Sequence, residues 1–219
     1  MDWNRAIAVN QAALARILAE VAALLDWTLG AEMERLPRVL HSAALRLLRP
    51  AESALRRLIV IAAQGLAVKL PPSRPMPKGL KIAGSETGKT NFVLYDRRKV
   101  FAVNRPHYNK AAPMVHFFGV SPLVPVFAQP RVIPDGSVNA ASLLRRLSAA
   151  QQALADLPKQ ALRLARWKAR RARQEKAKFT EPLRPGIPPG HRSKGQDEAD
   201  IILRECHALA QDRARADSS

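Results

Sequence analysis

The chain contains little cysteine and few aromatic residues. Its 219 residues include one cysteine, Cys206, and phenylalanine, tryptophan and tyrosine together make up 5%. A lone cysteine cannot form an intramolecular disulfide, which excludes a disulfide-stapled secreted scaffold and favours a reducing cytoplasm. Hydrophobic residues make up 47% of the chain and are mostly alanine, leucine and valine. This composition is typical of helices packed through small and branched side chains.

Acidic residues are also few compared with basic ones. The chain has 36 lysines and arginines against 18 aspartates and glutamates, which gives a net charge of +18. The first 70 residues are nearly balanced, with 9 basic and 6 acidic side chains, so most of the excess lies in the remaining two thirds. A positive field of this size attracts polyanions such as DNA, RNA or an anionic membrane surface.

The N-terminal sequence predicts neither a signal peptide nor a membrane span. Asp2 and Trp3 follow Met1, unlike the basic start and apolar core of a secretory signal. The apolar stretch 6–25 is interrupted by Arg16 and Glu20, whose spacing of four residues predicts an ion pair on a water-facing helical surface. We therefore expect a cytoplasmic protein.

The first third of the chain predicts an N-terminal helical region, residues 1–70, folded as a helical hairpin or a three-helix unit. Apolar residues recur at three- and four-residue steps from Ile7 onward, and Gly30 is a candidate helix end. A second apolar pattern contains Pro50, which either kinks one helix or separates two. We favour two helices, at about 36–48 and 50–67.

Residues 71–138 predict a proline-rich linker followed by a small β or irregular segment. Four prolines lie within 70–81, and the short apolar stretches 80–83 and 91–95 predict a β-hairpin. Further prolines would restrict additional strands to edges. We expect all strands to fall within about 80–135.

The last third returns to helix. A basic helical region, 139–179, begins at the candidate N-cap Asn139, and Pro158 restarts its helix. Residues 180–219 predict a second proline-rich linker and a short helix at about 197–214, which has an apolar docking face around Cys206. The predicted fold class is therefore mainly α, with a small irregular β insertion, a long basic helix and a short last helix.

Three segments resemble an uncharacterised family of small basic alphaproteobacterial proteins. They are 183–192 (LRPGIPPGHR), 203–207 (LRECH) and 47–53 (LLRPAES). The resemblance implies a bacterial, cytoplasmic setting. It implies no fold, site or activity.

Residues 83–90 (AGSETGKT) match a relaxed phosphate-loop pattern that has alanine in place of the first glycine. That chemistry needs a strand before the loop and a helix after it, so that backbone N–H groups and Lys89 can hold the phosphates. The sequence after Thr90 predicts a strand instead. We therefore interpret this segment as the tip of a hairpin.

Cys206 and the histidines suggest neither a metal site nor a catalytic dyad. Cys206 and His207 are adjacent, so on a helix their side chains point about 100° apart. His191 precedes Cys206 by a long loop, and no short paired spacing of zinc ligands is present. We expect a buried, unreactive thiol, and we predict no metal, no cofactor and no catalytic residue.

The strongest functional feature is the basic run 158–178, which has nine basic side chains and one acid, Glu175. A helix of this kind can lie against a phosphate backbone and release counterions. We expect Arg163, Arg166 and Arg170 to share a solvated face, and Trp167 to be able to stack on a base or anchor in a lipid interface. The predicted nucleic-acid-binding residues are Arg163, Arg166, Trp167, Lys168, Arg170, Arg171 and Arg173, aided by Arg97, Arg98 and Lys99.

These observations predict a noncatalytic, sequence-tolerant protein that binds the phosphate backbone of DNA or RNA. Two alternatives remain open. One is a protein–protein adaptor that binds a partner through its N-terminal amphipathic helices. The other is a peripheral membrane protein whose basic helix meets anionic lipid.

Overall fold

Five α-helices make up most of the part of the chain that the computed structural model describes, which comprises residues 2–26, 34–68, 70, 91–97, 136–173, 180–183 and 186–216. The helices are α1 (Trp3–Leu24), α2 (Arg38–Ala63), α3 (Ala141–Ala155), α4 (Leu157–Ala172) and α5 (Glu198–Ala216). The prediction of a mainly α fold is confirmed. The predicted last helix matches α5 closely, and its apolar face around Cys206 is buried.

Helix α2 lies at the centre, and the other four helices pack around it. From Pro50 to Ile61 nearly every residue of α2 is buried, around the whole helix rather than along one stripe, as expected for a helix surrounded by others. Contacts along α2 show that α5 runs parallel to it, because Arg46 bonds to Asp197 near the start and Gln64 bonds to the Arg213 carbonyl near the end.

Helix α1 runs antiparallel to α5. Near its start the Trp3 ring lies 4.9 Å from the Arg213 guanidinium, and near its end Arg16 pairs with Glu198 at 2.8 Å. Arg16 therefore forms its direct ion pair with Glu198 of α5 and not with Glu20 as expected, although the Glu20 charge also raises the pKa of Arg16. By length and composition α1 could cross a membrane, and its face around Leu14 and Ile17 is buried in the core.

Pro50 lies inside α2, so the preference for two separate helices was wrong. Proline cannot donate a backbone hydrogen bond to the carbonyl four residues earlier, at Arg46, and in a helix interior it costs about 3 kcal/mol. The helix nevertheless continues to Ala63. We attribute this continuity to the burial of the surrounding residues on every side, which outweighs the local propensity.

Buried polar side chains of α2 bond to the helices around them. Glu52 accepts two hydrogen bonds from Arg146 of α3, at 2.8 and 2.7 Å. Arg57 is fully buried, and it donates to the carbonyl and hydroxyl of Ser53 and to Nδ1 of His207 on α5. These bonds fix how α3 and α5 are aligned along α2.

In the described part of the chain, four very short strands form two antiparallel pairs: β1 (Arg35–Pro37) with β3 (Ser137–Asn139), and β2 (Asp96–Arg97) with β4 (Thr180–Glu181). Three of them lie outside 80–135, so the expected confinement of strands to that segment was wrong. The β1–β3 pair joins the residues leading into α2 and α3. Strands of two or three residues are too short to produce a detectable alternation in the sequence.

The basic helical region consists of two helices, since Asp156 separates α3 from α4 and Pro158 lies in the first turn of α4. The N-cap of α3 is Ala140, one residue after the predicted cap Asn139, whose side chain accepts the N–H of Ala141 from the end of β3. Helix α4 ends at Ala172. Three predictions concern residues outside the described ranges. They are the continuation of the basic helix to residue 178, the helix end at Gly30 and the first hairpin strand, 80–83.

A loop before α5 packs tightly on the backbone of α2. Gly190 has a φ of +83°, and a Cβ atom there would lie 2.9 Å from the Arg49 carbonyl carbon and from the Pro50 nitrogen. Gly186 has a similar φ of +79° but nothing within 4 Å of the same position. The two glycines therefore differ in packing and share the same left-handed backbone.

We predict that Gly190→Ala destabilises the protein more than Gly186→Ala does. Both substitutions impose left-handed strain of roughly 1–2 kcal/mol, whereas Gly190→Ala also forces the loop away from α2. Urea unfolding followed by circular dichroism measures both free energies of unfolding, with Gly186→Ala as the matched control. Equal losses in the two variants would contradict this packing.

Candidate nucleic-acid interface

Helix α4 presents a basic surface opposite its buried face. Leu157, Ala161, Leu164 and Ala165 are buried. The positions on the far side of the helix are exposed, and most are basic: Lys159, Leu162, Arg166, Arg170 and Arg173. No acidic residue occurs between residues 157 and 173, so the cations of α4 have no carboxylate on their own helix beyond Asp156 at its start.

Three arginines on this surface, which we call the α4 stripe, have no ion-pair partner among the described residues. They are Arg166, Arg170 and Arg173, and all three are exposed. Lys159, by contrast, lies 3.5 Å from Asp156. At a rise of 1.5 Å per residue the α4 stripe extends about 10 Å along the helix axis, a distance that covers several phosphates of a nucleic-acid strand.

Arg163 does not share the solvated face predicted for it. Its Nη1 atom donates to the Phe92 carbonyl and to Oε1 of Gln160, both at 3.0 Å. Burial lowers the pKa of the Arg163 guanidinium, and the nearby Tyr95 partly opposes that shift. Arg163 therefore holds segment 91–97 against α4.

Trp167 is also engaged within the protein. Its ring stacks on Tyr95, with centroids 5.9 Å apart and planes at 16°, and the Arg171 guanidinium lies 4.8 Å above the Trp167 ring. The expected base-stacking or lipid-anchoring role would require breaking these contacts. Trp167 and Arg171 thus stabilise the end of α4 from within.

Lys168 lies in helical register with the buried residues of α4 but is exposed. The last turns of α4 therefore extend past the apolar core, where even the inward side of the helix meets solvent. Of the assisting residues, Arg97 lies in β2 opposite Thr180. Arg98 and Lys99 lie outside the described residues.

A second basic group lies between α2 and the loop before α5, and the sequence analysis missed it. Arg192 bonds to both Asp197 and the buried Asp200, and Arg46 bonds to Asp197 at 3.2 Å. The hydrogen bond from Arg192 holds the pKa of Asp197 below its ordinary value. Charge counting along the chain could not find this group, because residues 46–49 and 190–197 meet only in the folded protein.

The buried thiol of Cys206 bonds to a side-chain amide. Its thiol donates to Oδ1 of Asn10 at 3.3 Å, and the Asn10 amide donates to Glu205 at 3.0 Å. Nδ1 of His207 accepts a hydrogen bond from Arg57. Burial raises the pKa of Cys206 to about 12. Among the described residues, no group of three or more metal-binding side chains comes together.

The phosphate-loop match, residues 83–90, lies outside the described residues. The residues immediately after it are described, and 91–95 are neither helix nor strand, so the predicted second hairpin strand was wrong. Phe92 and Leu94 are instead buried in the core. The helix that a phosphate loop needs at its end therefore does not follow Thr90 directly.

Comparisons with protein-family models, with curated proteins and with solved structures find no match. The resemblance to the alphaproteobacterial family, and the bacterial cytoplasmic setting that it implies, stay predictions.

We predict that Cys206 is unreactive in the folded protein at pH 8. With a pKa of about 12, the thiol carries very little of the nucleophilic thiolate. A thiol reagent such as dithiobis(nitrobenzoate) should label it only after denaturation, with free cysteine as the control for reagent activity. Rapid stoichiometric labelling of the native protein would contradict the burial seen here.

We predict that Mg-ATP gives no saturable heat with this protein, because no helix follows residues 83–90 directly. Isothermal titration of the wild type and of Lys89→Ala measures this. Micromolar binding that Lys89→Ala abolishes would establish a nucleotide site in this loop.

Proposed function

We propose that this protein is a noncatalytic, cytoplasmic nucleic-acid-binding protein that contacts phosphate backbones through the α4 stripe. The observation that carries the proposal is the exposure of Arg166, Arg170 and Arg173 without carboxylate partners in the described part of the chain. Cations in that state can neutralise phosphates without first breaking an ion pair, and each contact releases counterions.

The side chains of the α4 stripe are arginines, which bind phosphates and can also contact guanine. Helix α4 contains one side-chain amide, Gln160, and its oxygen already accepts from Arg163. The helix therefore offers no free asparagine or glutamine for the bidentate recognition of adenine. Binding by the arginines alone is expected to be strong at low salt and tolerant of sequence.

The contacts of Trp167 favour nucleic acid over a membrane surface. An interfacial helix usually inserts aromatic and aliphatic side chains into the lipid headgroup region. Here the Trp167 ring contacts both Tyr95 and Arg171, which leaves mainly arginines on the exposed face. A face of arginines can bind a phosphate backbone, because this contact does not require an inserted apolar side chain.

A shallow apolar groove between α1 and α3 favours the adaptor role as a second candidate. It has a volume of about 560 Å³. Its lining is dominated by small and apolar side chains, which include Ala8, Ala12, Ala15, Leu18 and Leu154. A partner helix could pack into such a groove, which lies on the N-terminal helix proposed for that role.

We predict that the triple variant Arg166→Ala, Arg170→Ala and Arg173→Ala weakens binding to all duplex sequences alike. The slope of log K against log salt should fall by about 2–3, since each lost phosphate contact contributes roughly 0.9. Fluorescence anisotropy with two unrelated duplexes and one RNA, at several salt concentrations, measures both effects.

The matched control removes three other exposed arginines, Arg5, Arg38 and Arg145, and so changes the net charge equally. It should retain most of the binding and of the salt slope. Anionic vesicles are tested in parallel. If both triple variants lost duplex binding equally, or if the protein bound vesicles but no nucleic acid, the α4 stripe would not be a nucleic-acid interface.

A further inference from the structure

A pocket of about 930 Å³ lies where α2 meets the loop before α5. Its walls carry four basic side chains, two hydroxyl groups and an imidazole: Arg46, Arg49, Arg192, Lys194, Ser42, Ser193 and His191. None of the lining residues is acidic. Cations and hydroxyl donors gathered in one concave site match the hydrogen-bonding needs of an oxyanion.

Part of this positive charge is already neutralised, and part is not. Asp197 and Asp200 pair with Arg192, and Asp197 also pairs with Arg46. Within the described ranges no carboxylate pairs with Arg49 or Lys194, although both line the same pocket. The pocket therefore keeps an excess of two positive charges.

The geometry of the pocket is fixed by close backbone packing. Gly190 rests on the backbone of Arg49 and Pro50 with no room for a side chain, and Gly195 lies so close to Asp200 that a side chain there would overlap its carboxylate. The pair of the half-buried Arg192 with the buried Asp200 holds the loop between these two glycines. Such a preformed pocket loses little entropy when a ligand binds.

The loop also offers backbone donors. The N–H of His191 is bonded to the Pro188 carbonyl, and that of Gly195 is bonded to the Arg192 carbonyl. The N–H groups of Ser193 and Lys194, the two central residues of the 192–195 turn, have no acceptor among the described residues. Exposed N–H groups in a turn flanked by cations are a common phosphate-binding element.

We propose that this pocket binds the phosphate group of a small phosphate ester, with Arg49 and Lys194 as its main cationic ligands. The volume exceeds that of a phosphate ion and lies in the range of small-molecule sites. Leu45 and Pro50 line the same pocket and supply apolar contact for an organic moiety. The proposal does not depend on the α4 stripe, because none of the stripe residues lines the pocket.

The test is isothermal titration of the full chain with three probes: inorganic phosphate, adenosine 5′-monophosphate and adenosine. The monophosphate should bind saturably, inorganic phosphate should bind more weakly, and adenosine should not bind. Equal affinity for phosphate and monophosphate would identify an inorganic anion site and overturn the ester proposal. Absence of binding by both phosphates at millimolar concentration would overturn the site itself.

The variant Arg49→Ala with Lys194→Ala should weaken binding of the monophosphate at least tenfold without lowering the melting temperature, because both side chains are exposed. The charge-preserving variant Arg49→Lys with Lys194→Arg should recover part of the affinity. The α4 triple variant is the matched control and should bind the monophosphate as the wild type does. If the Arg49→Ala, Lys194→Ala variant bound the monophosphate as tightly as the wild type, the proposal would be overturned. The proposal would also be overturned if this variant lost duplex binding while the wild type did not bind the monophosphate.

Discussion

Helix α2 can be buried on all sides only if its polar side chains find partners inside the protein. Burying a charged group without compensating bonds is strongly unfavourable, so each such side chain restricts what can pack beside it. Glu52 requires the guanidinium of Arg146, and Arg57 bonds to Ser53 and His207. The apolar residues of α2 would accept many helix arrangements, whereas these bonds select the alignment of α3 and α5 that the structure shows.

The alignment of α5 along α2 in turn creates the pocket before α5. Because α5 runs parallel to α2, the loop leading into it must cross α2 near Pro50, where Gly190 makes its close approach. The buried carboxylate of Asp200 then requires Arg192, which brings the loop cations toward Arg46 and Arg49. The pocket is therefore a consequence of how the core is assembled.

The sequence predicted the mainly α class and the last helix, because three- and four-residue apolar spacing reports directly on a helix with one buried face. It failed at Pro50, where burial on every side overrides local propensity. It also failed for Arg163, whose partners are a backbone carbonyl 71 residues away and a neighbouring amide. A charge on a helical wheel does not reveal whether another segment covers it, so the candidate site was only partly predictable.

Net charge alone therefore overstates how many cations are available to a polyanion. On α4, Arg163 and Arg171 act within the protein, the first as a donor to segment 91–97 and the second over the Trp167 ring. Replacing either would loosen the end of α4 and so disturb the neighbouring arginines, and the result would resemble a loss of phosphate contacts. A substitution tests binding without disturbing the fold only where the residue is both exposed and unpaired. In the described part of α4 and its end, the arginines of the stripe meet this condition. The same criterion selects Arg49 and Lys194 in the pocket, because Arg46 and Arg192 already form ion pairs with carboxylates.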